Sequence, residues 1–123
     1  VTLSSMKETL NFDSLEKLYY SIGEVSKLLD INASNIRYWE KEFSKLKPKK
    51  DKSGNRKFTV DDIKLISAIH GMVKERGLTL DGARKKLNAE GIGAVKREHE
   101  ALEKLTYVKS ELQKILRTMK SEA

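Results

Sequence analysis

Apolar residues in the first ninety positions recur in short runs at helical spacing, and each run is bounded by residues that start or stop a helix. Ile22, Val25, Leu28 and Leu29 make the first stripe. Ser21, with Glu24 three places on, has the form of a capping box, so a helix over about Ile22 to Leu29 is predicted. Asp30-Ile31 leaves room only for a tight turn, and aspartate tolerates the left-handed backbone such a turn often needs. Asn32 then reads as the N-cap of a second helix through about Phe43, with Ile36, Trp39 and Phe43 facing inward. Thr59-Val60-Asp61-Asp62 caps a third helix, whose buried side is Ile63, Ile66, Ile69, Met72 and Val73 and whose end is a left-handed cap at Gly77. Thr79 to Asn88 makes a short fourth helix with Leu80, Ala83 and Leu87 inward, stopped by Gly91.

Between the second and third helices the pattern changes. Lys45 to Phe58 contains Pro48 and the turn signal Ser53-Gly54, with Leu46 and Phe58 as apolar anchors, and is read as a two-stranded wing. After Gly91-Ile92-Gly93 a long charged helix is expected over about Ala94 to Lys120. Leu102, Leu105, Leu112, Leu116 and Met119 fall on three- and four-residue steps, Ala101, Val108 and Ile115 widen the stripe, and Lys109 interrupts it. Such a stripe needs a cover: its own domain or, as the length favours, a second copy. Val1 to Tyr20 is weakly patterned and is read as an arm with a short helical turn around Leu15 and Leu18. The chain is thus mainly α and divides into an arm (1–19), a winged helix-turn-helix domain with a small β wing (20–91) and a long dimerisation helix (92–123).

Charge sharpens this picture. The formal net charge is +7, and Lys45 to Lys57 alone holds seven Lys or Arg against one Asp, a balance of +6. A basic hairpin beside a helix-turn-helix is a footprint for DNA, which attracts proteins chiefly by phosphate neutralisation. The absence of cysteine excludes disulfides, thiolate metal sites and cysteine nucleophiles from these 123 residues. No apolar run reaches the roughly 20 residues of a membrane span, and no signal-peptide pattern opens the chain, so a cytoplasmic, nucleoid-associated protein is expected. Met6 offers a native start, with residues 1–5 as a leader. Three Ser-x-x-Lys matches have no companion motifs, and no phosphate-binding Gly loop or paired-histidine site occurs, so neither an enzyme nor a resident cofactor or metal is expected.

In a helix-turn-helix the second helix enters the major groove by its N-terminal half, which puts Ala33, Ser34, Asn35, Arg37, Tyr38 and Lys41 on or near the outer face. Arg37 suits a phosphate or a guanine edge, against the plainer reading that it pairs with Glu40. Tyr38 is either half core or a phosphate donor, Lys41 either solvated or a contact, and Ser34 and Asn35 either contacts or first-turn residues. Trp39 belongs to the core. On the wing, Arg56 and Lys57 sit where the sugar-phosphate backbone would press, while Lys49, Lys50 and Lys52 steer the approach. The link Arg76-Gly77-Leu78-Thr79 forms a second, smaller wing. His70 has no second ligand at helical spacing and is read as a surface or packed residue.

The Ser-Ile-Gly-Glu-Val opening, Ile-Arg-Tyr-Trp-Glu, Ser-Gly-Asn-Arg-Lys-Phe, Asp-Asp-Ile and Arg-Gly-Leu-Thr-Leu, in this order over roughly Tyr20 to Glu90, resemble the MerR family of winged-helix transcription regulators. The resemblance implies DNA contact by Arg37, Tyr38 and Arg56 and a backbone grip by the loop from Arg76 to Thr79. It also implies an antiparallel homodimer through the C-terminal helix, through Leu102, Leu105, Val108, Leu112, Ile115, Leu116 and Met119. The DNA would be a promoter with two inverted half-sites, distorted so that RNA polymerase elements align. Asp30 stands where the family often has Gly, Trp39 where Tyr is common and Asn55 where a wing Tyr is frequent. Gly82 replaces a frequent acid and weakens a helix start by up to about 1 kcal/mol relative to Ala. Family members usually continue into an effector-binding segment, so either a signal-independent regulator or a truncated chain is expected. The rival readings are an excisionase-like architectural DNA-binding protein and a coiled-coil interaction adaptor.

Overall fold

The computed structural model describes residues 15–122. Its elements are α1 (Ile22–Leu29), α2 (Ala33–Glu42), β1 (Lys49–Lys50), β2 (Arg56–Lys57), α3 (Val60–His70), α4 (Leu80–Glu90) and α5 (Ile92–Glu122). The capping box read at Ser21 is present, and the cap read at Thr59 is also a full box. The Ser21 hydroxyl accepts from the Glu24 amide while Glu24 accepts from the Ser21 amide, and Thr59 and Asp62 do the same for α3. Asp30 closes α1 in the left-handed region at φ 54°, ψ 48°, and the Ser26 hydroxyl donates to the Ile31 carbonyl across the turn at 2.6 Å. Asn32 occupies the N-cap position of α2, but its side chain makes no capping bond; the backbone alone enters the helix.

Val25, Leu29, Ile36, Trp39, Phe43, Leu46 and Phe58 join Ile63, Ile66, Ile69 and Met72 in one buried cluster, which Ala83, Leu87 and Val95 extend. α3 runs through the middle of it. Of the predicted stripe Val73 is only partly buried, while Leu65 and Ala68, outside it, are fully buried because α3 is covered on a second side by α5. The helix expected to run to Gly77 changes character before its end: the α-helix stops at His70 and continues as one π-type turn, Gly71–Glu75, closed by the Arg76 amide on the Gly71 carbonyl at 2.9 Å. Gly77 follows at φ 71°. Only Gly91, at φ 89°, separates α4 from α5, so the long helix begins at Ile92 and not at Ala94.

The wing is a two-stranded antiparallel pair with Lys49 opposite Lys57 and Lys50 opposite Arg56. Of the helical turn expected around Leu15 and Leu18, the described part, residues 15–19, is not helical, and Leu18 is 74 % exposed. Tyr20 forms a single antiparallel bridge with Phe58, each amide donating to the other's carbonyl at 2.8 Å, so the entering segment lies beside the wing's return strand. The remainder of the predicted arm, residues 1–14, lies outside the described residues.

Candidate nucleic-acid interface

Helix α2 buries Ile36 and Trp39 and turns the opposite face outward, which leaves Ser34, Arg37, Tyr38 and Lys41 exposed and Asn35 half-buried. Tyr38 is 50 % exposed, so its ring is not core. In the structure Glu40 pairs with Arg56 from the wing, and no pair between Arg37 and Glu40 is present among the described residues. Arg37, Lys41, Lys50 and Lys52 have no ion pair among the described residues. An unpaired cation on an exposed face keeps its charge available for a polyanion without first giving up a partner.

Arg56 differs from that expectation. Its Nε donates to the Glu40 carboxylate in a half-buried pair, which fastens β2 to α2 and withdraws this guanidinium edge from the surface. Lys57 is exposed, and its ammonium lies 5.2 Å from the Tyr19 ring centroid. The tip of the wing is organised by Asp51, which the charge count treated only as the one opposing acid. Its carboxylate accepts from the Ser53 and Asn55 amides at 2.9 Å each, and its backbone exchanges bonds with Asn55 and Gly54. The amide of Asn55, foremost, holds the Asp51 carboxyl below the usual carboxylate range. Gly54 sits at φ 84°, which the turn requires of a residue without a Cβ.

The second loop behaves differently from a free wing. The Thr79 hydroxyl accepts from the Gly82 amide at 3.0 Å and so caps α4. Arg76 is half-buried and lies over Gly71, where a Cβ would meet its guanidinium at 3.2 Å. Of the loop's two named residues, one is a helix cap and the other is folded back towards the core.

Two contacts outside the sequence reading tie the C-terminal end of α2 to α4. Glu42 accepts from Arg84 of α4 at 2.7 Å, and Lys45, just past α2, donates to the Leu87 carbonyl at 3.5 Å. His99 is buried in α5, with Nε2 2.9 Å from the Ser67 hydroxyl and Nδ1 without a partner. His70 is packed, with its ring edge-on to Trp39 at 6.1 Å between centroids. Among the described residues no group of three or more His, Cys, Asp or Glu side chains could hold a metal ion, and no helix is long and apolar enough to cross a membrane.

Two helices joined by a tight turn, a basic hairpin and a capped third helix define a winged helix-turn-helix module. A family model for MerR helix-turn-helix regulatory proteins matches residues 20–90, more than half of the chain, and the chain belongs to that family. It is 33 % identical over 73 residues to the HTH-type transcriptional regulator MlrA of Escherichia coli K12, covering 59 % of this chain and 30 % of MlrA. It is 35 % identical over 78 residues to the regulator protein TubY of Clostridium botulinum C phage, covering 63 % of this chain and 33 % of TubY. The chain therefore spans about a third of the length of these relatives. The fold is also that of HiNmlR, a MerR family regulator lacking the sensor domain, solved bound to promoter DNA. The TM-score is 0.50 at 21 % identity, over 83 % of this chain and 82 % of that one.

Proposed function

We propose that this chain binds double-stranded DNA sequence-specifically and regulates transcription as a homodimer on an inverted-repeat promoter site. The observation that carries the reading is the outer face of α2. Arg37, Tyr38 and Lys41 stand exposed there with Ser34, and the two cations among them have no ion pair among the described residues. The wing carrying Lys50 and Lys52 is fastened to the same helix through Arg56 and Glu40. HiNmlR, which shares the fold, is a regulator seen on promoter DNA, and the MlrA and TubY relatives are named as regulators.

The distal part of α5 supports the dimer. Leu105, Val108, Leu112, Ile115 and Met119 step by three and four residues, and all are more than half exposed, as is Leu116 beside them. Leu102 is half-buried and marks where the helix leaves its own domain. Two such helices side by side would cover each other's stripe and present two α2 helices to two half-sites. In this reading the dimer distorts its promoter for RNA polymerase, at a cost on the order of several kcal/mol offset by paired contacts.

The test is fluorescence-anisotropy binding across a salt series, with duplexes recovered by selection from a randomised pool set against scrambled DNA. A preference of at least ~10³ for one inverted repeat at physiological salt is expected. Equally weak, steeply salt-dependent binding to both would overturn the sequence-specific reading. Arg37→Ala should reduce discrimination between sites, whereas Lys50→Ala should weaken binding to all DNA alike.

A further inference from the structure

We propose that Arg84 is a positioning residue that sets the angle between α2 and the long arm α5, with α4 acting as the strut between them. Three consecutive basic residues of α4 carry the argument. Successive residues of a helix point about 100° apart, and Arg84, Lys85 and Lys86 each meet an acid in a different direction. Arg84 donates to Glu42 at the C-terminal end of α2 at 2.7 Å. Lys85 pairs with Asp81 inside α4 at 3.1 Å. Lys86 reaches Glu98 of α5 at 3.1 Å and Glu90 at 2.8 Å. α4 is therefore tied through its own side chains to α2 on one side and to the arm on the other.

One further contact makes Arg84 the better candidate than its neighbours. Its second guanidinium nitrogen lies 3.7 Å from Asp81, so the planar fork is held from its own helix before it meets Glu42. Lys45 adds a parallel tie from the same end of α2 to the Leu87 carbonyl, where a cation is favoured near a helix C-terminus. The pair is partly exposed, with about a third of each side chain accessible. Exposed pairs of this kind contribute little to folding free energy. What this pair contributes is restraint on orientation, and in a dimer that restraint fixes how far apart and at what tilt two α2 helices meet DNA. The last step rests on the function proposed above; the first does not.

Because the chain has no cysteine, nitroxide labels can be placed solely at Lys41→Cys on α2 and Lys104→Cys on α5. The labelled 123-residue chain is diluted into unlabelled protein so that only intrachain distances report. Pulsed electron-spin distance measurement should give one narrow distribution. Arg84→Gln and Glu42→Gln should each broaden it at least twofold with no change in melting temperature, the double variant no more than either single one. Arg84→Lys should keep it narrow. Lys85→Gln removes the same charge one residue away and should leave it as in the parent. An unchanged distribution in Arg84→Gln, or equal broadening in Lys85→Gln, overturns the proposal. A second readout uses the selected duplexes rebuilt with the spacer lengthened or shortened by one and two base pairs. The parent should prefer one spacer at least tenfold and Arg84→Gln less than threefold. A parent without a preferred spacer would count against the proposed function, while the distance measurement still decides the role of Arg84.

Discussion

The two ends of α5 are one helix in two circumstances. From Ile92 to Glu103 it is part of the domain: Val95 and His99 are buried, Lys86 and Lys64 reach across to Glu98 and Glu100, and Lys96 reaches Asp61. From Lys104 onward, every described residue but Ser110 and Glu111 is exposed, large apolar side chains included, with Leu105 at 65 % and Met119 at 61 %. Both ends carry apolar residues at helical spacing, so periodicity alone does not distinguish a finished interface from an unfinished one. What differs is what stands opposite. An isolated helix begins at a disadvantage because its first turn is costly to nucleate, and most helical stability comes from packing. Here the packed end supplies that nucleus, and the distal end can stand while its apolar stripe waits for cover.

The largest effect that tests this contrast comes from equal truncations at the two kinds of site. Phe43 is 1 % exposed, and Phe43→Ala should cost about 3–5 kcal/mol in urea unfolding. Ile115→Ala at protein concentrations low enough for the single chain should cost little, yet raise the dissociation constant of the proposed dimer in sedimentation equilibrium. Comparable losses of single-chain stability in the two variants would mean that the distal stripe already packs on its own domain.

The junction between the two ends should be sensitive to acid. Burial pushes the pKa of His99 from 6.5 down to about 4; Arg76 and His70 act in the same direction, and Glu75 and Glu100 oppose. The Ser67 hydroxyl from α3 and Glu103 from its own helix also face the ring. The unfolded chain therefore takes up a proton near pH 6.5 that the folded chain takes up only near pH 4. This group's contribution is complete above pH 6.5, is lost as pH falls towards 4 and falls no further below that, a change of about 3 kcal/mol. Urea midpoints measured from pH 7 to pH 4 should slope accordingly in the parent and flatten over that window in His99→Leu. An unaltered slope in the variant would place the acid sensitivity elsewhere.

Gly71 sharpens the same junction. A Cβ there would stand 2.6 Å from His99 Nδ1 and 2.7 Å from Cε1, closer than side chains can pack. The ring is 4 % exposed, so it cannot simply swing into solvent, and Gly71→Ala should cost about 1–3 kcal/mol. The double variant Gly71→Ala/His99→Ala should recover part of that loss, whereas Ser110→Ala beyond the junction should be nearly neutral in thermal melts. Equal melting temperatures for Gly71→Ala and the parent would show that α5 can slide on α3.

Local signals were legible in the sequence and long-range ones were not. Ser21 with Glu24 announces its helix because both partners of a capping box lie within one turn, and the Thr59 cap with the acids after it does the same for α3. Asp30 announces its turn for the same reason. The basic count of the wing identified where charge gathers, but it could not say that Arg56 is taken by Glu40, 16 residues back, or that Arg84 is taken by Glu42, 42 residues back. Those pairings exist only once α2, the wing and α4 have packed. Leu65 and Ala68 were missed because a one-sided stripe was sought in a helix that is covered on two sides. His99 was unremarkable as an isolated letter, and the π-type turn that leads past Gly71 leaves no trace in apolar spacing.

The smallest expected effect concerns the turn that orients α2. Asp30 is the one non-glycine among the described residues with positive φ, at 54°. An L-residue pays roughly 1–2 kcal/mol for that region, less for aspartate, whose short polar side chain tolerates it. Glycine removes the steric part but loses more backbone freedom on folding, worth about 0.5–1 kcal/mol in the other direction. The two terms nearly cancel, and the steric one should prevail slightly, because the exposed Asp30 side chain makes no hydrogen bond or ion pair among the described residues that glycine would forfeit. Asp30→Gly should therefore raise the urea unfolding free energy by less than about 1 kcal/mol and leave the dimer dissociation constant unchanged, since the turn lies in the finished part of the molecule. A loss of stability would mean that the entropy of the freer turn outweighs its relief, and that the aspartate holds α1 and α2 in place by limiting where the unfolded chain can go.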